Sequence, residues 1–99
     1  MPAKPAEPHH AHRVQELLHH HGAAHLRART YGSAVLVESG PTDDRVKHVR
    51  LRRDSVHLWC LDIANHRGQW ERTPLRANLD DLVQLVLDDF PWTLTPTAD

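Results

Sequence analysis

Cysteine is nearly absent from this sequence, and with Cys60 alone no internal disulfide can hold the fold. Aromatic residues are scarce too, five in all, so each of the three tryptophans carries a large share of the packing it joins. No run approaches the ~20 apolar residues of a membrane span. The N-terminus, MPAKPAEPHHAH, lacks the apolar core of a secretory signal. A cytoplasmic protein without membrane contact is the expectation from these absences. Neither sign of charge dominates: the formal net charge is −1 with neutral histidines, which excludes a strongly basic, histone-like binder. Lysine is rare, two residues against ten arginines, a habit of GC-rich bacterial genomes.

What the chain does have is histidine and segregated charge. Seven of the ten histidines fall between His9 and His25, and at about pH 6 they would turn that end cationic. Residues 45–53 hold Arg45, Lys47, Arg50, Arg52 and Arg53 with no acid. Residues 77–99 hold Asp80, Asp81, Asp88, Asp89 and Asp99 with no base. A length of 99 residues fits one domain. Three prolines among the first eight residues mark a disordered arm over 1–8, which leaves 9–99 as a single α+β domain.

Periodicity predicts the elements. Ala11, Val14, Leu17, Leu18 and His21 form the narrow apolar stripe of a helix from about His9 to His20, with Gly22 as its stop. Leu26, Ala28 and Thr30 alternate with His25, Arg27, Arg29 and Tyr31. Gly32-Ser33 fits a two-residue turn into a return strand over 34–38, with one long strand through Gly32 as the alternative. RVKHVRLRRDSVHLWCLDI reads as a hairpin turning at Arg53-Asp54 or Asp54-Ser55. Its first arm places Val46, His48, Arg50 and Arg52 on one face, and its second arm is apolar on both faces and therefore interior. QWERT at 69–73 is a last strand, ended by Pro74. The C-terminal helix has Asn78 as N-cap, Asp80 and Asp81 in its first turn, and Pro91 as its stop. Leu79, Leu82, Val83, Val86 and Phe90 form its core stripe, and Trp92 and Leu94 are expected to pack back onto the domain. The fold expected is thus an N-terminal helix, an antiparallel meander of four or five strands and a C-terminal helix. Both helices are expected on one sheet face.

Three groups of residues point to chemistry. Alternate residues of a strand share a face, so His48, Arg50 and Arg52 project together, and Arg27, Arg29 and Tyr31 join them if register allows. Arginines with an aromatic on a sheet can hold phosphates and stack a base. The plainer reading is a solvated face whose arginine heads pair with local acids. The second group is His12, Glu16, His19 and His20, spaced so that imidazoles and a carboxylate share one helical side, as zinc or nickel ligands would. An exposed polar face with adventitious metal affinity explains the same residues. The third is Asp88 and Asp89, which sit at the negative end of their helix and so ask for a cationic partner. That partner is either the domain's own Arg45–Arg53 strand or a basic surface on another chain.

No catalytic residue is nominated. Cys60 alternates with Val56 and Leu58 and reads as a small buried hydrophobe. Ser33, Ser39 and Ser55 lie in turns without a G-x-S-x-G elbow. No carboxylate pair has the context of a general acid and base.

The segment HLWCLDIANHRGQWERTPLRANLDDLVQLVLDDFPW resembles the C-terminal half of a bacterial family of unknown function. Trp59 and Cys60 stand in its first strand, Trp70, Arg72 and Pro74 in its second, and Leu79, Leu82, Val86, Asp88 and Phe90 in its helix. Glu71 and Thr73 depart from the His and Tyr usual there. The resemblance covers about half the chain, implies the same strand-strand-helix order and transfers no activity.

The functional expectation is a small non-enzymatic protein-interaction module, self-associating or an accessory subunit, with a protein partner or a second copy as ligand. Nucleic-acid binding through the Arg-rich face is the alternative, and metal binding by the N-terminal histidines a third. No cofactor is expected unless those histidines take zinc or nickel.

Overall fold

The structure is a computed structural model that describes residues 4–54 and 58–94. Helix α1 (Pro8–His20) is followed by five strands, β1 (Arg27–Tyr31), β2 (Ala34–Ser39), β3 (Val46–Arg53), β4 (Trp59–Ala64) and β5 (Trp70–Ala77). Helix α2 (Leu79–Asp89) and a 3₁₀ turn (Pro91–Leu94) complete the chain. The strands form one antiparallel sheet in the order β1-β2-β3-β4-β5, so the α+β meander has five strands. Both helices lie on one face, where Val14 and Leu18 of α1 and Leu82, Val83 and Val86 of α2 meet Val35, Val37, Val49, Leu51, Trp59 and Leu61 of the sheet. Arg13 of α1 pairs with Asp80 of α2 at 2.8 Å and ties the helices together.

Local chemistry sets most boundaries. Pro8 opens α1 where its missing N–H costs nothing, and Gly22 (φ 89°) closes it. Gly32 (φ 58°) makes the β1–β2 turn. The Asn78 side chain accepts from the Asp81 N–H at 2.9 Å, capping α2. Within the N-terminal segment, the Ala6 N–H donates to the Gly32 carbonyl at 2.9 Å and Arg53 donates to the Pro5 carbonyl at 3.0 Å. Residues 1–3 lie outside the described residues, as do Ser55 of the predicted β3–β4 turn and Val56 of the predicted second arm.

The last strand is longer than predicted because it runs through Pro74. The register shifts between Cys60 and Asp62, and here β5 bulges. Pro74 has no N–H to offer a neighbour. The Thr73 hydroxyl donates instead to the Leu61 carbonyl, at 2.9 Å. An edge strand tolerates this because one side of its ladder is open.

A second bulge corrects the face assignment of β3. Val37 pairs with Val49, but Glu38 pairs with Lys47, so one extra residue, His48, is accommodated in β3. His48 therefore does not share a face with Arg50 and Arg52. It is buried, its Nδ1 2.8 Å from the Thr93 carbonyl and its Nε2 2.7 Å from the Ser39 hydroxyl. Lys47 takes the place expected of His48. Two further expectations fail, one at the C-terminal end and one in β4. Leu94 packs back on the core as expected, but Trp92 is 62% exposed. Cys60 is half-buried rather than core, since Trp59 and Leu61 are the residues of β4 that face the helices.

Candidate functional site

Directly paired residues of an antiparallel sheet point to the same side, so register alone maps the face the helices leave open. One rung across the sheet reads Arg29, Leu36, Arg50, Asp62, Arg72. The next reads Tyr31, Ala34, Arg52, Cys60, Arg76. On the other side of the first lie Arg27, Glu38 and Lys47, with Ala64 and Trp70 beyond them. Six of the ten arginines thus converge on one face with a lysine, a tyrosine and a tryptophan.

The face is organised around two buried carboxylates. Asp62 is fully buried and accepts from Arg50 Nε at 2.7 Å and from Arg52 Nη2 at 3.1 Å. Glu38, 4% exposed, takes Arg29 through two contacts at 2.7 and 3.2 Å. These bonds hold the arginines over the sheet, where their stems shield Leu36 and Ala34, both buried on a face without helices. The Asp62 carboxylate pushes the ionisation of Arg52 further up, so its charge is permanent. Arg50 uses only Nε on Asp62, and no described residue takes its two Nη groups. Its guanidinium lies 5.0 Å from the Trp70 ring, and Lys47 Nζ lies 5.8 Å from the same ring. Arg29 lies 5.8 Å from the ring of Tyr31, which is 68% exposed.

The result is a groove of about 470 Å³ with a floor of Ala34 and Leu36. Its walls are Arg29, Lys47, Arg50 and Arg52, with Tyr31 at one end and Trp70 at the other. Four cationic groups face the two carboxylates beneath them, so the groove keeps a positive excess. The plainer reading of the arginines is realised in part: their heads do pair with local acids, but fewer acids than bases are present.

Of the residues nominated from sequence, Arg27, Arg29, Tyr31, Arg50 and Arg52 are brought together. Arg27 sits at the rim, where it donates to the Gly40 carbonyl. His48 is on the other side of the sheet. Lys47, Trp70, Arg72 and Arg76 belong to the face and were not nominated, although Trp70 and Arg72 already alternate in sequence as strand neighbours would.

The other two groups stay apart. His12 Nε2 meets Glu16 at 3.0 Å, but His19 Nε2 is engaged by the Leu26 carbonyl at 2.7 Å, which takes it out of a common ligand set. Among the described residues, the ligating atoms that do approach one another belong to Glu7, His9 and His10. His10 Nδ1 there accepts the Glu7 N–H at 3.0 Å, and the positive end of α1 opposes a cation. Asp88 and Asp89 are exposed at the end of α2. Among the described residues, Asp88 accepts from Gln84 alone, at 3.1 Å. The Arg-rich strand does not answer them: Lys47, Arg50 and Arg52 lie on the far face of the sheet, and Arg53 is engaged by the Pro5 carbonyl and the Trp59 ring.

Fold and face together define a small α+β domain with an uncovered, cation-rich sheet surface. No protein-family model, no curated protein and no solved structure matches the chain. No helix among the described residues is long and apolar enough to cross a membrane.

Proposed function

We infer that this protein is a non-enzymatic binding module whose open sheet face takes single-stranded nucleic acid. One observation carries the reading: the uncovered face offers guanidinium and ammonium groups between two aromatic rings, not apolar surface. Extended single strands need this combination, with cations for the backbone and π-faces for unstacked bases. A duplex does not fit as well, because reading its grooves calls for a protruding helix or ribbon, and the face here is a shallow groove. The near-neutral net charge limits long-range attraction, so affinity rests on the local excess at the groove and falls with salt.

Fluorescence anisotropy of a labelled mixed-sequence oligonucleotide across a salt series tests the reading. The expected result is binding at low salt that weakens as salt rises. Trp70→Ala, which leaves every charge in place, should weaken it by about 1–3 kcal/mol, the worth of one base stack. Lys47→Glu, which reverses a charge of the groove and leaves both guanidinium partners of Asp62 in place, should weaken it strongly at low salt, with circular dichroism confirming that the fold persists. No binding at low salt, or binding indifferent to both changes, would sink the proposal.

A further inference from the structure

Beyond the first groove lies a second concavity that the sequence does not announce. At the start of β3, Val46 and Lys47 extend past the end of β4, whose pairing with β3 begins only at Val49 with Ile63. The β4–β5 turn, Asn65 to Gly68, stands opposite this overhang and leaves a crevice of about 700 Å³. Its rim carries Arg45, Lys47, His66 and Arg67, and among the described residues no carboxylate lines it. This sets it apart from the first groove, where Glu38 and Asp62 temper the arginines. Arg45 and Arg67 have no side-chain partner among the described residues, so their guanidiniums remain available to an incoming anion. Trp92, 62% exposed, forms part of the wall.

The two concavities share one residue. Lys47 lines both, with its ammonium 5.8 Å from the Trp70 ring on one side and 3.4 Å from the Gly68 carbonyl on the other. We propose that the crevice is a continuation of the groove and that a nucleic-acid strand lying on the open face runs over Lys47, placing its next phosphates against Arg45 and Arg67. The inference rests on the reading of the open face above, and it fixes the ligand as a strand of several nucleotides, not a mononucleotide. The chemistry fits: a backbone carries one negative charge per nucleotide, and a crevice with three fixed cations and no carboxylate repays it without displacing an internal ion pair. Lone base recognition would not need this second site.

The test compares oligothymidylates of about 4 and about 12 nucleotides, within the span of known single-strand sites. The short probe is long enough for the groove, and the long one reaches the crevice. Arg45→Ala with Arg67→Ala should weaken the long probe about tenfold and make its salt dependence shallower by about 1.4, the share of two phosphates on a single strand. The same variant should leave the short probe unchanged. Both residues are exposed and make no ion pair among the described residues, so the fold is not at risk. If the double variant leaves both probes unaffected, or weakens both equally, the continuation is overturned while the open-face reading stands. If the wild-type protein binds neither probe, the reading and the continuation fail together.

Discussion

Asp62 is the residue on which the open face depends. A fully buried carboxylate is costly unless it is paired and hydrogen-bonded, and here two guanidiniums supply that pairing. Its side chain fixes Arg50 beside Trp70 and Arg52 beside Cys60, so it preorganises the cations while subtracting from their charge. Asp62→Asn separates these effects. The amide keeps the size and one acceptor but gives up the charge and one acceptor site. Stability in urea should fall by about 2 kcal/mol, as expected when a charged hydrogen bond is lost from a buried site. Affinity for a single strand at low salt should rise, because the groove loses a negative charge. A variant that is less stable and also binds more weakly would show that Asp62 matters for positioning more than for charge.

At the scale of elements, the two bulges explain where sequence reasoning succeeded and where it did not. The helix α2 was legible almost to the residue, since its cap, stripe and stop are local signals. The meander order followed from alternation and turns. Alternation cannot see a bulge, however, because one inserted residue inverts the face of everything before it. Strict alternation for that reason puts His48 on the arginine face, where the structure has Lys47. The fifth strand was cut short at Pro74 because the rescue by the Thr73 hydroxyl depends on the Leu61 carbonyl, twelve residues away. The pairing of Arg50 and Arg52 with Asp62 was equally invisible, being a matter of register between strands.

The β3 bulge also has a pH signature. It turns His48 inward between β2 and the 3₁₀ turn, facing Ser39, the Thr93 carbonyl and His25, whose ring centroid is 6.3 Å away. Burial holds its ionisation below the ordinary 6.5; the Thr93 carbonyl opposes this and His25 adds to it. Below pH 6.5 the unfolded chain therefore binds a proton that the folded chain resists, so stability present above that pH is lost as pH falls. His10 is shifted in the same direction by burial against its surroundings and adds to the same slope. Urea midpoints measured at about pH 7.5 and about pH 5.5 should drop on acidification. In His48→Gln the drop should be smaller, though the midpoint at the higher pH will also be lower for want of the imidazole contacts. An equal drop in both proteins would place the sensitivity elsewhere.

The whole molecule keeps its charges on opposite sides. The helix layer carries Asp80, Asp81, Asp88 and Asp89, and the open sheet face and its end carry most of the arginines. Self-association has to be judged against that layout. Both sheet edges are blunted: β5 bulges at Pro74, and the Ala28 N–H on short β1 is already taken by Gln15 at 3.0 Å. Among the described residues the two large exposed hydrophobic ones, Tyr31 and Trp92, lie at opposite ends of the sheet, beside Arg52 and beside Val46 respectively, so they do not make one patch. A durable homodimer calls for a contiguous apolar centre. What remains is attraction between the acidic helix end of one copy and the basic face of another. Because these surfaces lie on opposite sides of the domain, such contacts run head to tail and do not close into a pair. They are also screened within about 8 Å at physiological salt. Light scattering at micromolar concentration should therefore give the mass of one chain at about 0.15 M salt, with larger species appearing only when salt is lowered. A discrete dimer that persists at about 1 M salt would mean that the open face is a subunit interface, and it would withdraw that face from nucleic acid.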